Sequence, residues 1–391
     1  MLRGLYKIFF VIILVSGLLF EVGKYRYSKV YIPTGKEVGP ALDYFISFRD
    51  TAVVRGKECF ITNDRALSFD FDRVVGIFRK VVEKGGNVLI LYEKENDLLK
   101  KYMSLLVLKG VHGNFLKYSD LGVSELLKCD RVYIFLPGMD FAFGEDLQVL
   151  VKVLNACSFR GSSLWVIDFP NLFSGEKIAV PFCRIKVFDF ELPYMYGMTL
   201  GELALMLNEV YLKKPVDLRV IAVSNYNRKL WYDELGLRWY LDYYDIATMK
   251  DALMCAAREI FRCSNLEIDE NYVIKAEWLN NREFIEKLNR QRMKGVKFER
   301  VKSHDIEGVG ICITDRSGFN PVLVCCQTLS LASRMYPHRF RMKNEIGKEG
   351  MFDFNVKVYV ESGYDFDKFE KLLSGRLNRF LSLRSRYLIY R

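Results

Sequence analysis

Short apolar runs rich in β-branched and aromatic residues recur through the first half of the chain, at Cys59–Thr62, Asn87–Tyr92, Arg131–Leu136, Ser163–Ile167 and Asp217–Val223. Between them, segments such as Arg73–Lys84 and Leu147–Cys157 place their apolar residues three and four apart. The short runs predict buried strands, and the helical period between them predicts crossover helices that cover those strands. Alternation of the two predicts a parallel sheet, because parallel neighbours need a long connection and a helix supplies it. The expectation is an α/β, doubly wound, Rossmann-like domain over residues 40–245.

After residue 245 the order changes. Helical periodicity at Met249–Phe261 and Arg282–Met293 precedes strand-like runs at Val309–Thr314 and Val356–Val360. The tail Lys368–Arg391 alternates charges and leucines as an amphipathic closing helix does. Grouped helices and strands of this kind predict a smaller C-terminal α+β domain over 246–391. One helix start is visible directly. Thr199 followed three residues later by Glu202 has the spacing of a capping box, which makes Glu202 a structural residue at the head of Gly201–Val210.

Composition narrows the class. With 391 residues, half of them hydrophobic, the chain has enough apolar surface for two domains with cores and is not a disordered protein. Lysine and arginine exceed aspartate and glutamate by 58 to 48, a net charge of +10 that suits an anionic surface such as membrane lipid or wall polymer. The basic residues are scattered rather than gathered into a reader motif, so nucleic acid is not an expected partner. Residues Met1–Gly23 carry Arg3 and Lys7 and then an apolar run from Ile8 to Phe20, broken at Ser16 and Gly17, which reads as an export signal. The run is short for a membrane span and no Ala-x-Ala site follows, so a cleaved signal peptide and an uncleaved membrane anchor both stand. The expected location is therefore periplasmic or cell-envelope. Nine cysteines without a C-x-x-C pair, with Cys59, Cys312, Cys325 and Cys326 in apolar runs, read as buried thiols. His112, His304 and His338 are too far apart, and too far from a cysteine, for a zinc site.

Ligands of open parallel sheets bind outside the carboxyl ends of the strands. Here those ends are polar: Thr62, Asn63 and Asp64 follow the first strand, Glu93, Glu95, Asn96 and Asp97 the second, Asp140 the third, Asp168 and Asn171 the fourth, and Ser224 and Asn225 the fifth. Carboxylates and amides converging on one rim suit sugar hydroxyls. They do not suit a dinucleotide, since the first strand runs into Thr62-Asn63-Asp64-Arg65 without the glycines that admit a pyrophosphate, and no P-loop is present. No cofactor is expected. Polar residues at these positions also make turns and caps, and Asp168-Phe-Pro-Asn171 has the rigidity of a turn because Pro170 fixes the backbone.

From Glu191, the run Glu-Leu-Pro-Tyr-Met-Tyr-Gly-Met-Thr-Leu-Gly-Glu-Leu-Ala-Leu-Met-Leu-Asn208 resembles the signature of the exo-β-N-acetylmuramidase (NamZ-like) family. Further matching blocks follow in order: Asp217–Val223, Arg228, Trp231, Tyr232, Gly236-Leu237 with Trp239, Gly310–Val322 and Met335–Phe340. Upstream, Thr62-Asn63 and Val166–Asn171 match more thinly. The resemblance implies a Rossmann-like domain joined to a smaller C-terminal one, acting outside the cytoplasm to remove terminal N-acetylmuramic acid from peptidoglycan fragments. It implies that Glu95 stands for the acid of the family's Gly-Pro-Glu-His-Gly turn, with Asn96 in place of its histidine. Asp140 alone could stand for a carboxylate of the segment after the third strand. The Ser-Glu-Gly-Arg-Gly-Thr-Thr loop expected near 265–272 is missing, and Phe169 occupies a position where arginine is usual.

Two functional expectations follow. In one, Glu95 is the general acid of a glycosidase, Asp140 or Asp168 is the second carboxylate, and Asn63, Asn96, Asn171 and Asn225 meet the saccharide. In the other, the polar losses have removed catalysis, and the fold survives as a wall-saccharide-binding module tethered at the membrane by its N-terminal segment. The partner in both is a peptidoglycan or muropeptide saccharide.

Overall fold

The structure is a computed structural model. It describes residues 122–136, 141–142, 144–185, 189–223, 226–235, 246–303, 306–343, 356–362 and 366–391, with strand backbones at 28–30, 53–54, 57–58, 60–61, 88–92 and 114–117. The N-terminal apolar run, the predicted helix Arg73–Lys84 and Cys59 lie outside the described residues.

All five strands expected in the first half form, within a residue or two of their predicted bounds: β4 (Phe60–Ile61), β5 (Val88–Tyr92), β7 (Arg131–Phe135), β8 (Ser163–Ile167) and β11 (Leu218–Ala222). They join one parallel sheet in the order β1-β11-β8-β7-β5-β6, with β4 also on β11, where β1 is Ser28–Val30 and β6 is Asn114–Lys117. Two short strands, β2 (Val53–Val54) and β3 (Lys57–Glu58), pair with each other. Val132, Ile134, Leu164, Val166, Leu218 and Val220 on one face, and Tyr133, Trp165, Ile167 and Ile221 on the other, are buried, as expected of strands covered on both faces.

Helix α1 (Val123–Leu126) precedes β7, and α2 (Glu145–Arg160) is the predicted crossover to β8. Leu147, Leu150, Val151, Leu154 and Cys157 of α2 are buried. The helix ends at Gly161, whose positive φ of 81° lets its N–H return to the Cys157 carbonyl and turns the chain into β8 within two residues. An antiparallel hairpin, β9 (Ile178–Ile185) with β10 (Phe190–Tyr196), leads into α3 (Leu200–Val210). This hairpin is not visible in the sequence pattern. Pro181 and Pro193 interrupt both strands, and β10 is bulged between Pro193 and Met195.

The helices α4 (Met249–Arg262) and α5 (Asn281–Arg290) form as predicted, and a four-stranded antiparallel sheet accompanies them. Its order is β12 (Glu267–Ile268), β13 (Val273–Lys275), β15 (Ile306–Ile313) and β14 (Val296–Ser303). The long helix α6 (Pro321–Met335) packs on α4 and on β9, so apolar residues of the two halves share one continuous core. Cys325 and Cys326 lie fully buried on α6, and burial raises both thiols far above their ordinary value.

One expected strand is a helix. Val356–Val360 belongs to α7 (Val356–Ser362), not to a sheet. The alternation Val-Lys-Val-Tyr-Val fits period two, but Val356, Tyr359 and Val360 also sit at helical spacing. Those three are buried while Val358 is 58% exposed. Tyr359 packs edge-on against Phe369 of α8 (Phe366–Arg384) and accepts from Gln327 of α6, so tertiary partners favour the helical face. The predicted closing helix ends at Arg384. Residues 385–391 leave it and run back to the ends of β8 and β11.

Candidate functional site: the carboxyl ends of the parallel strands

The site region is built on the N-terminus of α3. Thr199 caps the helix, accepting from the Glu202 N–H while the Glu202 carboxylate accepts from the Thr199 N–H, and both capping-box bonds are present. Glu202 is fully buried and structural, as its spacing predicts. Its Oε1 also accepts from Arg228 Nη1 at 2.9 Å, from Ile389 N at 2.8 Å and from Tyr390 N at 3.3 Å. Arg228 donates onward to the carbonyls of Gly175, Gly197 and Tyr390, and Arg384 donates to the same Gly175 and Gly197 carbonyls. Burial and the neighbouring Arg228 charge push Arg384 down to about 10. Glycine is required at 197, where φ is 59° and a Cβ would meet the Lys177 carbonyl at 2.9 Å.

Asp168 follows β8 directly and points into this cluster. It is 1% exposed, and its oxygens accept from Thr199 Oγ1 at 2.6 Å, Gly201 N at 2.8 Å and Tyr390 Oη at 2.7 Å. Burial raises its carboxyl to about 6, the Glu202 charge adds to the rise, and the three donors oppose it. A raised carboxyl in a cleft is a mark of catalytic acids. Here burial is the cause, and both oxygens are engaged inside the protein. The expected role of Asp168 as a second catalytic carboxylate therefore finds no oxygen presented to a ligand.

Asn171 is likewise occupied internally. Its side-chain oxygen accepts from the Phe173 N–H two residues on, its amide donates to the Met198 carbonyl, and its own N–H bonds to Tyr226 Oη. That is an Asx turn, held by the tertiary structure on both sides. The structure thus brings Asp168 and Asn171 together at one rim, where they organise the loop after β8. Glu95, Asp140, Asn63, Asn96 and Asn225 lie outside the described residues.

Aromatic rings crowd the same rim. Phe169, half-buried, stacks on Tyr232 with centroids 5.7 Å apart and meets Phe135 at the end of β7 edge-on at 6.3 Å. Trp231 precedes the short turn Tyr232–Glu234 and carries the Arg316 guanidinium 4.6 Å above its ring. Arg316 also bonds both Asp233 oxygens, at 2.8 and 2.9 Å, and pairs with Glu234. Through it the loop Asp315–Asn320, from the second half of the chain, docks beside the strand ends. Lys177 fixes that loop from below, donating to the Ser317 and Phe319 carbonyls at 2.7 Å each, and burial pushes its amine down to about 8. Trp231 and Tyr232 are themselves buried, and Phe169 and Phe135 are the partly exposed rings of the group, apolar surface of the kind a sugar's C–H face packs against. Among the described residues no group of three or more metal-ligating side chains occurs.

Sequence reading missed Tyr390 and Tyr226, and it held Arg316 only as part of the family block Gly310–Val322. Tyr390 lies 222 residues from Asp168, and nothing local marks it. Trp231 was found only through the family blocks.

Residues 146–249 match the family model described as exo-beta-N-acetylmuramidase NamZ, N-terminal, and residues 272–390 match that described as exo-beta-N-acetylmuramidase NamZ, C-terminal. The peptidoglycan beta-N-acetylmuramidase NamZ of Bacillus subtilis (strain 168) is 23% identical over 290 residues, which are 68% of this chain and 69% of that protein. Two crystal structures of DUF1343 family proteins from Bacteroides fragilis NCTC 9343 share the fold. One superposes with a TM-score of 0.62 at 18% identity, covering 82% of this chain and 98% of its own. The other has a TM-score of 0.53 at 17% identity, covering 80% and 98%.

Proposed function

The chain belongs to the exo-β-N-acetylmuramidase NamZ family as a divergent member, and on that premise we propose that it is a glycoside hydrolase releasing terminal N-acetylmuramic acid from peptidoglycan fragments. The observation that carries the reading is that both family domains match in order along one chain, with the family's Gly197-Met-Thr-Leu-Gly-Glu202 block built as the helix cap beneath the strand ends. A binding-only module is the less favoured reading, because its sole support is the departures in the polar loops.

Glycoside hydrolysis takes two carboxyl groups, one protonating the leaving oxygen and one assisting water or attacking the anomeric carbon, set about 5 to 9 Å apart. Glu95 is assigned the acid, since it holds the position of the family's acidic residue. Asp140 is assigned the second carboxylate, because Asp168 is closed off by its three donors. Asn63, Asn96 and Asn225 are the amides left for sugar hydroxyls, that of Asn171 being spent in its turn. Half-buried Phe169 and Phe135 are the rim rings left partly open to a sugar face. The N-terminal basic and apolar run supports placement outside the cytoplasm, where the substrate is, with membrane contact through that run if it is retained. Fractionation of cells expressing the tagged full chain tests the location, and recovery in the cytosol alone would overturn it.

The activity is tested by release of N-acetylmuramic acid, or of a chromogenic group from its β-glycoside, by the full chain beside Glu95→Gln. Loss of about 10²- to 10⁴-fold in the variant is the expected outcome for a general acid. No turnover by a folded parent that still binds the saccharide would transfer the assignment to the binding module.

A further inference from the structure

We propose that Tyr390 is a positioning residue: its phenol forms an additional rung between the adjacent strands β8 and β11, holding in register the loops at the proposed saccharide rim. The proposal rests on the functional reading above for the identity of the ligand, while the geometry stands by itself. The regular ladder between β8 and β11 ends where Asp168 N–H donates to the Ile221 carbonyl at 2.9 Å. Beyond that bond the two chains diverge into different loops. The next groups along them are the Asp168 carboxylate and the Val223 N–H, and one side chain bridges both. Tyr390 Oη donates to Asp168 Oδ2 at 2.7 Å and accepts from Val223 N at 2.9 Å. A phenol serves here because it is donor and acceptor at once on a rigid arm.

A second link lies directly on the first. The Tyr226 ring meets the Tyr390 ring edge-on at 4.9 Å, and Tyr226 Oη bonds the Asn171 N–H at 3.1 Å. Tyr390 therefore supports both crossings between Asp168–Asn171 and the chain that leaves β11, at Val223 and at Tyr226. The tyrosine is itself fixed through its backbone. Its N–H and that of Ile389 donate to Glu202 Oε1, and its carbonyl accepts from Arg228 at 3.1 Å. The anchor is thus the capped N-terminus of α3, where Thr199, Glu202 and Arg228 are all bonded internally. A plug that merely filled space would need neither the hydroxyl nor these backbone bonds.

The test is Tyr390→Phe in the full chain, which keeps the ring against Tyr226 and removes only the bridging oxygen. Hydrogen exchange followed by mass spectrometry requires no substrate. Peptides covering 166–173 and 219–227 are expected to exchange about tenfold faster, as when one hydrogen bond to a charged acceptor is lost locally, with 249–262 and 306–313 unchanged. Acceleration everywhere, or only within 385–391, overturns the proposal. In the muramidase assay, kcat is expected to fall about tenfold or more with the melting temperature within a few degrees of the parent, because displaced binding groups cost rate before they cost stability. Loosened loops with kcat and KM unchanged would reduce Tyr390 to a structural tie and overturn the positioning role. A parent without turnover would end the hydrolase reading, and the exchange pattern would still decide whether Tyr390 orders the two loops. Should Tyr390→Phe prove too unstable to measure, Tyr226→Phe, which keeps the ring against Tyr390 and removes the acceptor of the Asn171 N–H, should loosen 168–173 and spare 306–313, and unchanged exchange at 168–173 would overturn the link between the two loops.

Discussion

Glu202 and Arg228 form the ion pair on which the α3 cap depends, and breaking it has a cost that can be worked out. The Glu202 side chain is 0% exposed and that of Arg228 is 6%, with Oε1 and Nη1 2.9 Å apart. Glu202→Ala leaves a guanidinium charge buried without its counter-charge, and strips the N–H groups of Thr199, Ile389 and Tyr390 of their acceptor. Removing one partner of a buried pair costs about 3–5 kcal/mol, and orphaned buried donors add to it, so about 5 kcal/mol is expected. Glu202→Gln keeps the shape and one acceptor oxygen and should cost about 3 kcal/mol. Arg228→Met removes the charge together with the bonds to Gly175, Gly197 and Tyr390, and leaves the Glu202 carboxylate stranded. In the double variant Glu202→Gln with Arg228→Met no buried charge of the pair remains. Its cost should fall short of the sum of the single costs by about 2 kcal/mol or more. Urea unfolding, with midpoint and slope fitted separately, measures all four. Costs that add to within about 0.5 kcal/mol would refute a coupled buried pair and show each residue acting through its backbone bonds alone.

Three further outcomes are expected. Burial lifts the Asp168 carboxyl from 3.8 to about 6, so the folded state holds that proton more tightly than the unfolded chain. Its contribution to stability is then greatest below the unfolded value and falls by about 3 kcal/mol as pH rises to about 6 and beyond. Asp168→Asn should flatten that limb of the stability-against-pH curve, and an unchanged limb would place the titration elsewhere. Gly201→Ala should destabilise by about 2 kcal/mol although alanine favours helix, because its Cβ would lie 2.5 Å from Val220 Cγ1 and 2.7 Å from Asp168 Cγ; a raised melting temperature would contradict that close approach. Val358→Lys should change stability by no more than about 0.5 kcal/mol, while Val360→Ala, on the buried face of α7, costs about 2 kcal/mol. Equal costs in thermal unfolding would favour a strand, in which the two valines share a face.

Much of the scaffold is legible in the sequence because it follows from local periodicity. The strands β5, β7, β8 and β11 are continuous apolar runs, since a parallel sheet covered on both faces has no polar side to alternate with. The cap at Thr199 and Glu202 is equally readable, because a capping box is complete within four residues. Periodicity fails where it is ambiguous. Val356–Val360 satisfies both periods, and only Gln327 and Phe369, outside that segment, select the helix. The β9–β10 hairpin escapes it for a related reason, since its prolines break the strand pattern and its pairing is fixed by register rather than composition.

The candidate site divides in the same way. Which residue types gather at the strand ends follows from the sequence, because every loop after a parallel strand opens on the same rim. What Asp168 and Asn171 do there is decided by the tertiary structure. Asp168 looks in sequence like any rim carboxylate, and it is the arrival of Thr199, Gly201 and Tyr390 that turns it inward. A polar side chain has no fixed role until burial removes water as its partner. It must then find protein donors, and those are supplied by segments as remote as residues 385–391, whose return to the sheet depends on packing that no local pattern records.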